Sequence, residues 1–461
     1  MPDKTDRSWP DYRAVWRWHF YASLFCIPFV IILSISGTIY LFKPQIETWL
    51  DAPYDHLQVE GATPSAADQI AAALSAVPGA RFGNYELPTA SDNAVRVIVR
   101  RDGEAVRVYV HPSSLEVLHT VPEDERFMRY VFRLHGELLS GDRGSMIVEL
   151  AASWTIVLIV TGIYLWWPRQ AKGWGGVLYP RLKSGSRIFW RDLHSVTGIW
   201  ISSMALFLLL SGLPWAKSWG NYLKAARRLT GTAVAQQDWT VGSGRAKDGG
   251  GQGGHGEHGG HGGRRVQAEG ADKTEGNQVP IDFAAVDRIV ATVRPLELAP
   301  PVMIAPAGKG SGDWTAKSLA GNRTHRVNLV LEGATGAIKN REDFSDRHLI
   351  DRIVGTGIAA HEGQLFGLAN QLLGLVTTCG LILVCASGLI MWWRRREPGA
   401  LGAPKALSSP RFSLGLFVLV VALAIYLPLF GASLLGVLVI EKTLLARIPA
   451  LRDWWGLSRP A

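Results

Sequence analysis

Gly162-Ile163-Tyr164-Leu165-Trp166-Trp167-Pro168-Arg169 has a counterpart further along the chain, Gly388-Leu389-Ile390-Met391-Trp392-Trp393-Arg394-Arg395. Each stretch ends a long apolar run, and an isolated histidine precedes each run, His135 in the first case and His361 in the second. Histidine and glycine are 27 residues apart in both, and the whole pattern recurs at an offset of 226. A second spacing also repeats: His19 to Gly37 and His194 to Gly212 are each 18 residues, at an offset of 175. Eighteen residues are five helical turns, so each of these histidines shares a helix face with its glycine. The chain reads as a duplicated membrane unit, and paired histidines in such a unit point to a bound cofactor.

Uncharged apolar runs cover 20–42, 146–167, 196–215, 366–393 and 412–431 of the 461 residues. All but the last reach the roughly 20 residues needed to cross the hydrocarbon core. The first run has no small-residue cleavage site after it and continues into Lys43-Pro44, which predicts a retained span. The net charge of +9 is placed by topology, so no nucleic-acid partner is expected. Lys and Arg crowd the N-terminus, the connection after the second run (Arg169, Lys172, Arg181, Lys183, Arg187, Arg191) and the connection after the fourth. Those alternate connections belong in the cytoplasm by the positive-inside rule, with 44–145 and 217–365 outside. The three cysteines, Cys26, Cys379 and Cys385, all lie in apolar runs, so no disulfide framework supports the external parts.

The resulting plan has a tail and first span (1–60), a first external α+β module (61–126), and a surface helix with the second span (127–168). A basic cytoplasmic loop (169–191), a third span (192–216) and a second external module (217–350) follow. The chain closes with a surface helix and fourth span (351–396), then a loop, fifth span and amphipathic tail (397–461). In the first module Thr63-Pro64-Ser65 starts a helix over 66–77, and strands are expected at 81–87, 94–100, 105–111 and 115–121. In the second, a helix is expected over 281–293, strands at 315–319 and 326–331, and a turn at Thr335-Gly336. Asp192 is expected to cap the third span. Pro428 and Gly431 interrupt the last run, which leaves a full crossing and a re-entrant segment as alternatives.

Four of the twelve histidines stand apart, His19 and His194 at one membrane face, His135 and His361 at the other. Two neutral imidazoles facing each other across a macrocycle are what bis-histidine haem iron requires, which predicts two haem b groups. Gly37 and Gly212 would leave room for a macrocycle. A lone histidine at a membrane edge is more often an interfacial polar residue, and a zinc or copper site is the other alternative. Arg17 and Arg191, just before the inner histidines, are candidates for the haem propionates, although positive-inside charge explains them as well. His255, His258 and His261 lie in the glycine-rich loop 242–265 and are candidates for weak metal binding. The tryptophan pairs read as interface anchors.

Spans that open with a histidine, Thr/Ser-Gly pairs near span ends (Thr161-Gly162, Ser211-Gly212, Ser387-Gly388) and α+β modules between spans together resemble the PepSY-associated transmembrane family. The resemblance implies a polytopic α-helical protein of the bacterial inner membrane, with a cytoplasmic N-terminus and two small periplasmic PepSY-like modules. It further implies a di-haem b-type reductase that passes electrons from the cytoplasm or the quinol pool to a ferric-siderophore or other ferric complex. By position His19, His135, His194 and His361 match the family's span-associated histidines. The first module departs from the family in having Ser114-Leu115 where Thr-Gly is usual. Two other functions stay open, a PepSY sensor or binding module that regulates a peptidase or envelope partner without redox activity, and a metal-handling protein centred on the histidine-rich loop.

Overall fold

A computed structural model describes residues 10–169, 173–232, 282–308, 311–404, 413–445 and 447–456. The loop 242–265, with His255, His258 and His261, lies outside the described residues. The helices are α1 Tyr12–Leu41, α2 Lys43–Asp51, α3 Ala66–Ala76, α4 Phe127–Glu137, α5 Gly141–Trp166, α6 Ser186–Gly212, α7 Lys217–Leu229, α8 Ala284–Val293, α9 Leu349–His361, α10 Leu368–Arg395, α11 Leu414–Tyr426, α12 Pro428–Ile440 and α13 Pro449–Trp455. The strands are β1 Arg81–Glu86, β2 Val95–Arg101, β3 Glu104–Val110, β4 Val117–Pro122, β5 Val302–Pro306, β6 Asp313–Ser318, β7 Val327–Glu332 and β8 Ile338–Asp343.

Among the described residues five helical stretches are long and apolar enough to cross a membrane: Tyr12–Leu41, Gly141–Trp166, Ser186–Trp215, Leu368–Arg395 and Pro428–Leu445. The first four form a ring in which α1 packs on α5 and α10, and α6 packs on α5 and α10. Leu, Ile, Val and Phe dominate their outer faces, whereas Ser34, Ser36, Ser153, Thr377 and Ser387 are buried inside the ring. Small side chains there let helices approach closely where lipid supplies no hydrophobic drive. The chain is a multi-pass membrane protein.

Outside the ring the strands form one eight-stranded antiparallel sheet in the order β4-β3-β2-β1-β5-β6-β7-β8. The two separate modules expected from the sequence are joined by β1 and β5, where Tyr85 pairs with Ile304 and Glu86 with Met303. Both helices, α3 and α8, cover the same face, and one core contains Ile70, Val97, Val108, Ile289, Ile304 and Leu329. Ser65 caps α3 through a reciprocal pair with Asp68, and the Ala66 backbone N–H donates to Asp287 of α8 at 2.6 Å. The two outer hairpins share a backbone. Leu115 N–H donates to His111 O and His111 N–H to Glu116 O, and Gly336 and Glu332 repeat this with Glu332 O and Ala337 O. Leu115 has a φ of 63° where Gly336 has 76°, so the first turn keeps its left-handed geometry without a glycine.

The apolar run expected as one fifth span is two helices. Leu427 leaves helical geometry before Pro428, and a Cβ on Gly431 would stand 2.9 Å from that of Ala424, so α11 folds sharply against α12 there. Trp219 Nε1 of α7 donates to Tyr426 O at 2.9 Å near this fold. The tail then comes back to the other end of the ring, where Tyr21 Oη donates to Trp455 O at 2.5 Å and Arg17 to Gly456 O at 3.1 Å. The C-terminal tail therefore packs beside the first turns of α1, as the re-entrant alternative has it. Asp192 is also corrected: Gly185 holds the cap position of α6, and Asp192 is fully buried between Arg181 and Arg191. The bidentate pair of Arg227 and Asp351, at 2.6 and 2.9 Å, fixes α9 to α7.

Reporter fusions at the N- and C-termini are expected to report the same side of the membrane, and opposite sides would refute the return of the tail. Ile304→Ala should destabilise the sheet domain by about 2–5 kcal/mol, since Ile304 is fully buried. Thermal unfolding should keep a single transition for both hairpin sets; separate transitions for the two halves would contradict a shared core.

Candidate functional site

The four isolated histidines meet in two pairs. The rings of His19 (α1) and His194 (α6) have centroids 6.4 Å apart at an interplanar angle of 86°. Those of His135 (α4) and His361 (α9) are 6.3 Å apart at 78°. Along α1, Gly37 lies against the His135 ring and His19 sits 18 residues earlier, so the pairs are about 27 Å apart along that helix. Each pair joins a ring that precedes the connection between α5 and α6 to one that follows it.

Every ring rests on a hydroxyl–glycine dipeptide from a neighbouring helix. His19 meets Thr161-Gly162 of α5, His135 meets Ser36-Gly37 of α1, His194 meets Ser387-Gly388 of α10, and His361 meets Ser211-Gly212 of α6. A Cβ on Gly37 would lie 3.1 Å from His135 Cε1, and on Gly162, Gly212 or Gly388 it would lie 3.4 Å from the Cε1 of its histidine. The glycines thus make room for an imidazole ring, which replaces the expectation that Gly37 and Gly212 open space for a macrocycle alone.

The hydroxyls decide which ring nitrogen is free. Nδ1 lies 3.0 Å from Thr161 Oγ1 for His19, 3.1 Å from Ser36 Oγ for His135, 3.3 Å from Ser387 Oγ for His194 and 2.9 Å from Ser211 Oγ for His361. Each hydroxyl already donates its proton to the carbonyl four residues back: Thr161 to Val157, Ser36 to Ile32, Ser387 to Leu383 and Ser211 to Phe207, at 2.7–2.8 Å. A hydroxyl has one proton, so its oxygen accepts from the histidine. The Val384 carbonyl also accepts from His194 Nδ1 at 3.0 Å. All four rings therefore carry their proton on Nδ1 and keep a lone pair on Nε2. That arrangement of an outer partner fixing the tautomer is how ligating histidines are held.

The pairs also fit a metal between them. With metal–nitrogen bonds of about 2.0 Å and roughly 1.1 Å from ring nitrogen to ring centre, two imidazoles that would hold one metal ion between them could have centres up to about 6.2 Å apart. An edge-to-face contact alone spans about 4.5–7 Å, so the distance admits both and the shared Nδ1–H pattern carries the distinction. Among the described residues no group of three or more His, Cys, Asp or Glu side chains gathers, whereas a protein-held zinc uses three or four such ligands. His135 and His361 open on a cavity of about 440 Å³ between apolar Val30, Leu33, Ala205 and Leu381, within the size range of small-molecule and cofactor sites.

The two arginines singled out by position have other partners. Arg17 donates to Pro404 O at 2.6 Å and to Gly456 O, and Arg191 is bound to Asp192 at 2.8 Å. Arg395 of α10, which the sequence marked only as the end of the second repeat, stacks over Trp16 at 4.7 Å and over Phe20, the residue after His19, at 5.8 Å. Of each tryptophan pair one ring is tied to the following loop, Trp166 Nε1 to Val177 O and Trp392 Nε1 to Leu401 O, while Trp167 and Trp393 are exposed. Glu149, which no motif in the sequence marked, is buried within the ring and accepts from the backbone N–H groups of Ser218 and Trp219 at the start of α7.

No curated protein matches the chain. The family model described as PepSY-associated TM region matches residues 16–395, a stretch that takes in all four histidines and their four hydroxyl–glycine partners. On that match the chain belongs to the PepSY-associated transmembrane family.

Proposed function

We propose that the chain is a di-haem b-type electron carrier of a bacterial inner membrane. On this reading His19 and His194 hold one haem, and His135 and His361 the other. The observation that carries it is the set of four Nδ1–H rings with Nε2 free, arranged in two facing pairs near opposite ends of one helix ring. Bound haem iron would supply reversible one-electron exchange. The chain's residues orient the imidazoles, keep them unprotonated at Nε2 and exclude water with an apolar ring.

Basic residues concentrate at the His19 end, which supports a cytoplasmic side for that end and a periplasmic side for the sheet. Electrons then enter from the cytoplasm or the quinol pool and leave at the His135–His361 end. The acceptor is a ferric-siderophore or similar ferric complex at the sheet side, whose oxygen ligands bind ferrous iron less tightly after a one-electron reduction. The offsets of 226 and 175 residues, and the order helix-strand-strand-strand-strand found twice in the sheet, support a duplicated origin with two PepSY-like halves.

A pyridine haemochrome assay on the purified chain should give two b-type haems per polypeptide, and a colourless preparation would end this reading. His361→Ala should leave one haem and abolish reduction of an external ferric complex, while preserving the fold by circular dichroism. Thr161→Val removes the acceptor of His19 Nδ1–H but keeps the side-chain volume. It should lower haem affinity at that pair by about 10–100-fold in a competition titration, in line with outer-partner losses elsewhere. Unchanged affinity would show that the hydroxyl does not hold the ring.

A further inference from the structure

The cavity beside His135 and His361 has one wall of a different character. Lys217, Asn221 and Lys224 of α7 line it, together with Trp215 just before that helix. The Trp215 indole Nε1 is buried with no hydrogen-bond partner. A buried N–H donor without a partner costs about 1–3 kcal/mol, so a chain that keeps one against a cavity is built for an acceptor there. Lys224 has no ion pair among the described residues, and its nearest charged neighbours in effect are Lys217 and Arg228, both of its own sign. Burial and then these two cations push its ammonium below the usual lysine range.

Carboxylates in and near the cavity pair with Lys217 but not, among the described residues, with Lys224. Glu149 is spent on the backbone N–H groups of Ser218 and Trp219, and Asp142 is spent on Lys217 at 2.9 Å. Glu137 and Glu362 line the cavity two residues after His135 and directly after His361. Neither is within ion-pair distance of Lys224 among the described residues. One wall of an otherwise apolar and acidic cavity therefore offers an ammonium and an unused N–H donor.

We infer that Lys224 and Trp215 form a carboxylate-binding site in the cavity of the His135–His361 pair. The inference rests on the di-haem reading for the identity of the occupant, because the carboxylate belongs either to a propionate of the haem held there or to an anionic ferric chelate reaching it. An ammonium and a neutral N–H donor suit a carboxylate, the one by charge and the other by a directed hydrogen bond. Arg17 and Arg191, the cations expected for this task, are committed elsewhere and lie near the other histidine pair.

The test uses the full-length chain in detergent, with Lys224→Gln, Lys224→Arg and Trp215→Phe variants, each checked for wild-type circular dichroism. Haem content, the midpoint potentials of the two haems, and KM for ferric citrate and for a neutral ferric trihydroxamate are measured. If the site holds a propionate, Lys224→Gln and Trp215→Phe lower retention or shift the potential of the haem that His361→Ala removes, and affect both acceptors alike. If it holds the chelate, spectra and potentials stay unchanged and KM for ferric citrate alone rises, by about tenfold for a loss of 1.4 kcal/mol. Lys224→Arg should restore the wild-type value in either case. Wild-type potentials, haem content and both KM values in Lys224→Gln and Trp215→Phe would overturn the site. Absence of haem from the wild-type chain would instead overturn the reading of the histidine pairs, which the first measurement separates from the rest.

Discussion

A single hydroxyl proton, spent on a carbonyl four residues back, is the constraint on which the centre of this molecule depends. In a lipid-embedded helix a serine or threonine satisfies itself by bonding its own backbone, and its oxygen keeps an unused acceptor. At Ser36, Thr161, Ser211 and Ser387 that acceptor faces a histidine from the next helix. In an apolar ring an unpaired N–H is costly, so the histidine gives its Nδ1 proton to the hydroxyl oxygen beside it. Its tautomer is fixed, and the glycine one residue on lets the ring lie flush against the backbone. Polarity that would be costly in an apolar ring becomes the device that aims four nitrogens.

This arrangement ties the helix ring together in a particular register. His19 ties α1 to α5 and His135 ties α4 to α1, His194 ties α6 to α10 and His361 ties α9 to α6, and each pair of rings then joins the two sets. A shift of one helical turn in any member would separate a ring from its hydroxyl. The surface helices α4 and α9 need an anchor of their own. The Arg227–Asp351 pair supplies it for α9, since breaking a buried bidentate pair leaves an uncompensated charge. The sheet contributes a second tie. With β1 paired to β5, the segments that precede α4 and α9 belong to one body, so the two sheet-side histidines are delivered by a common frame. Pairing those two strands also removes two free edges that separate modules would present.

Most of the local structure was legible in the residues. Ser65 with Asp68, Asp102-Gly103 and Thr335-Gly336 have specific backbone roles, and the strands around them fall within about two residues of where alternation puts them. The strand that was not legible is β5. It is five residues long, follows Pro300-Pro301 and ends at Pro306, a composition that reads as a breaker, yet its proline positions leave the pairing with β1 and β6 intact. Asp192 was misread because a carboxylate near an expected helix start looks like a cap; the helix in fact begins six residues earlier, and the charge is buried between two arginines. The last apolar run left a full crossing and a re-entrant segment open because hydropathy does not register direction. Its reversal is set by Leu427-Pro428, the close approach at Gly431, and contacts of the tail with Tyr21 and Arg17 that are more than 400 residues away in sequence.

Period and spacing alone determined the first four spans, most of the strands and the four isolated histidines, because repeats at fixed offsets survive without knowledge of packing. They also paired His19 with His194 and His135 with His361, since equivalent positions on equivalent helices face each other in a symmetric ring. Tertiary structure decided what those histidines are. The partners of Nδ1 come from other helices, the use of Arg17 depends on a tail folded back from the far end of the chain, and the fusion of two modules into one sheet depends on a strand too short and proline-bounded to announce itself. Each of these is a contact across long sequence separation, where geometry and not residue type selects the partner.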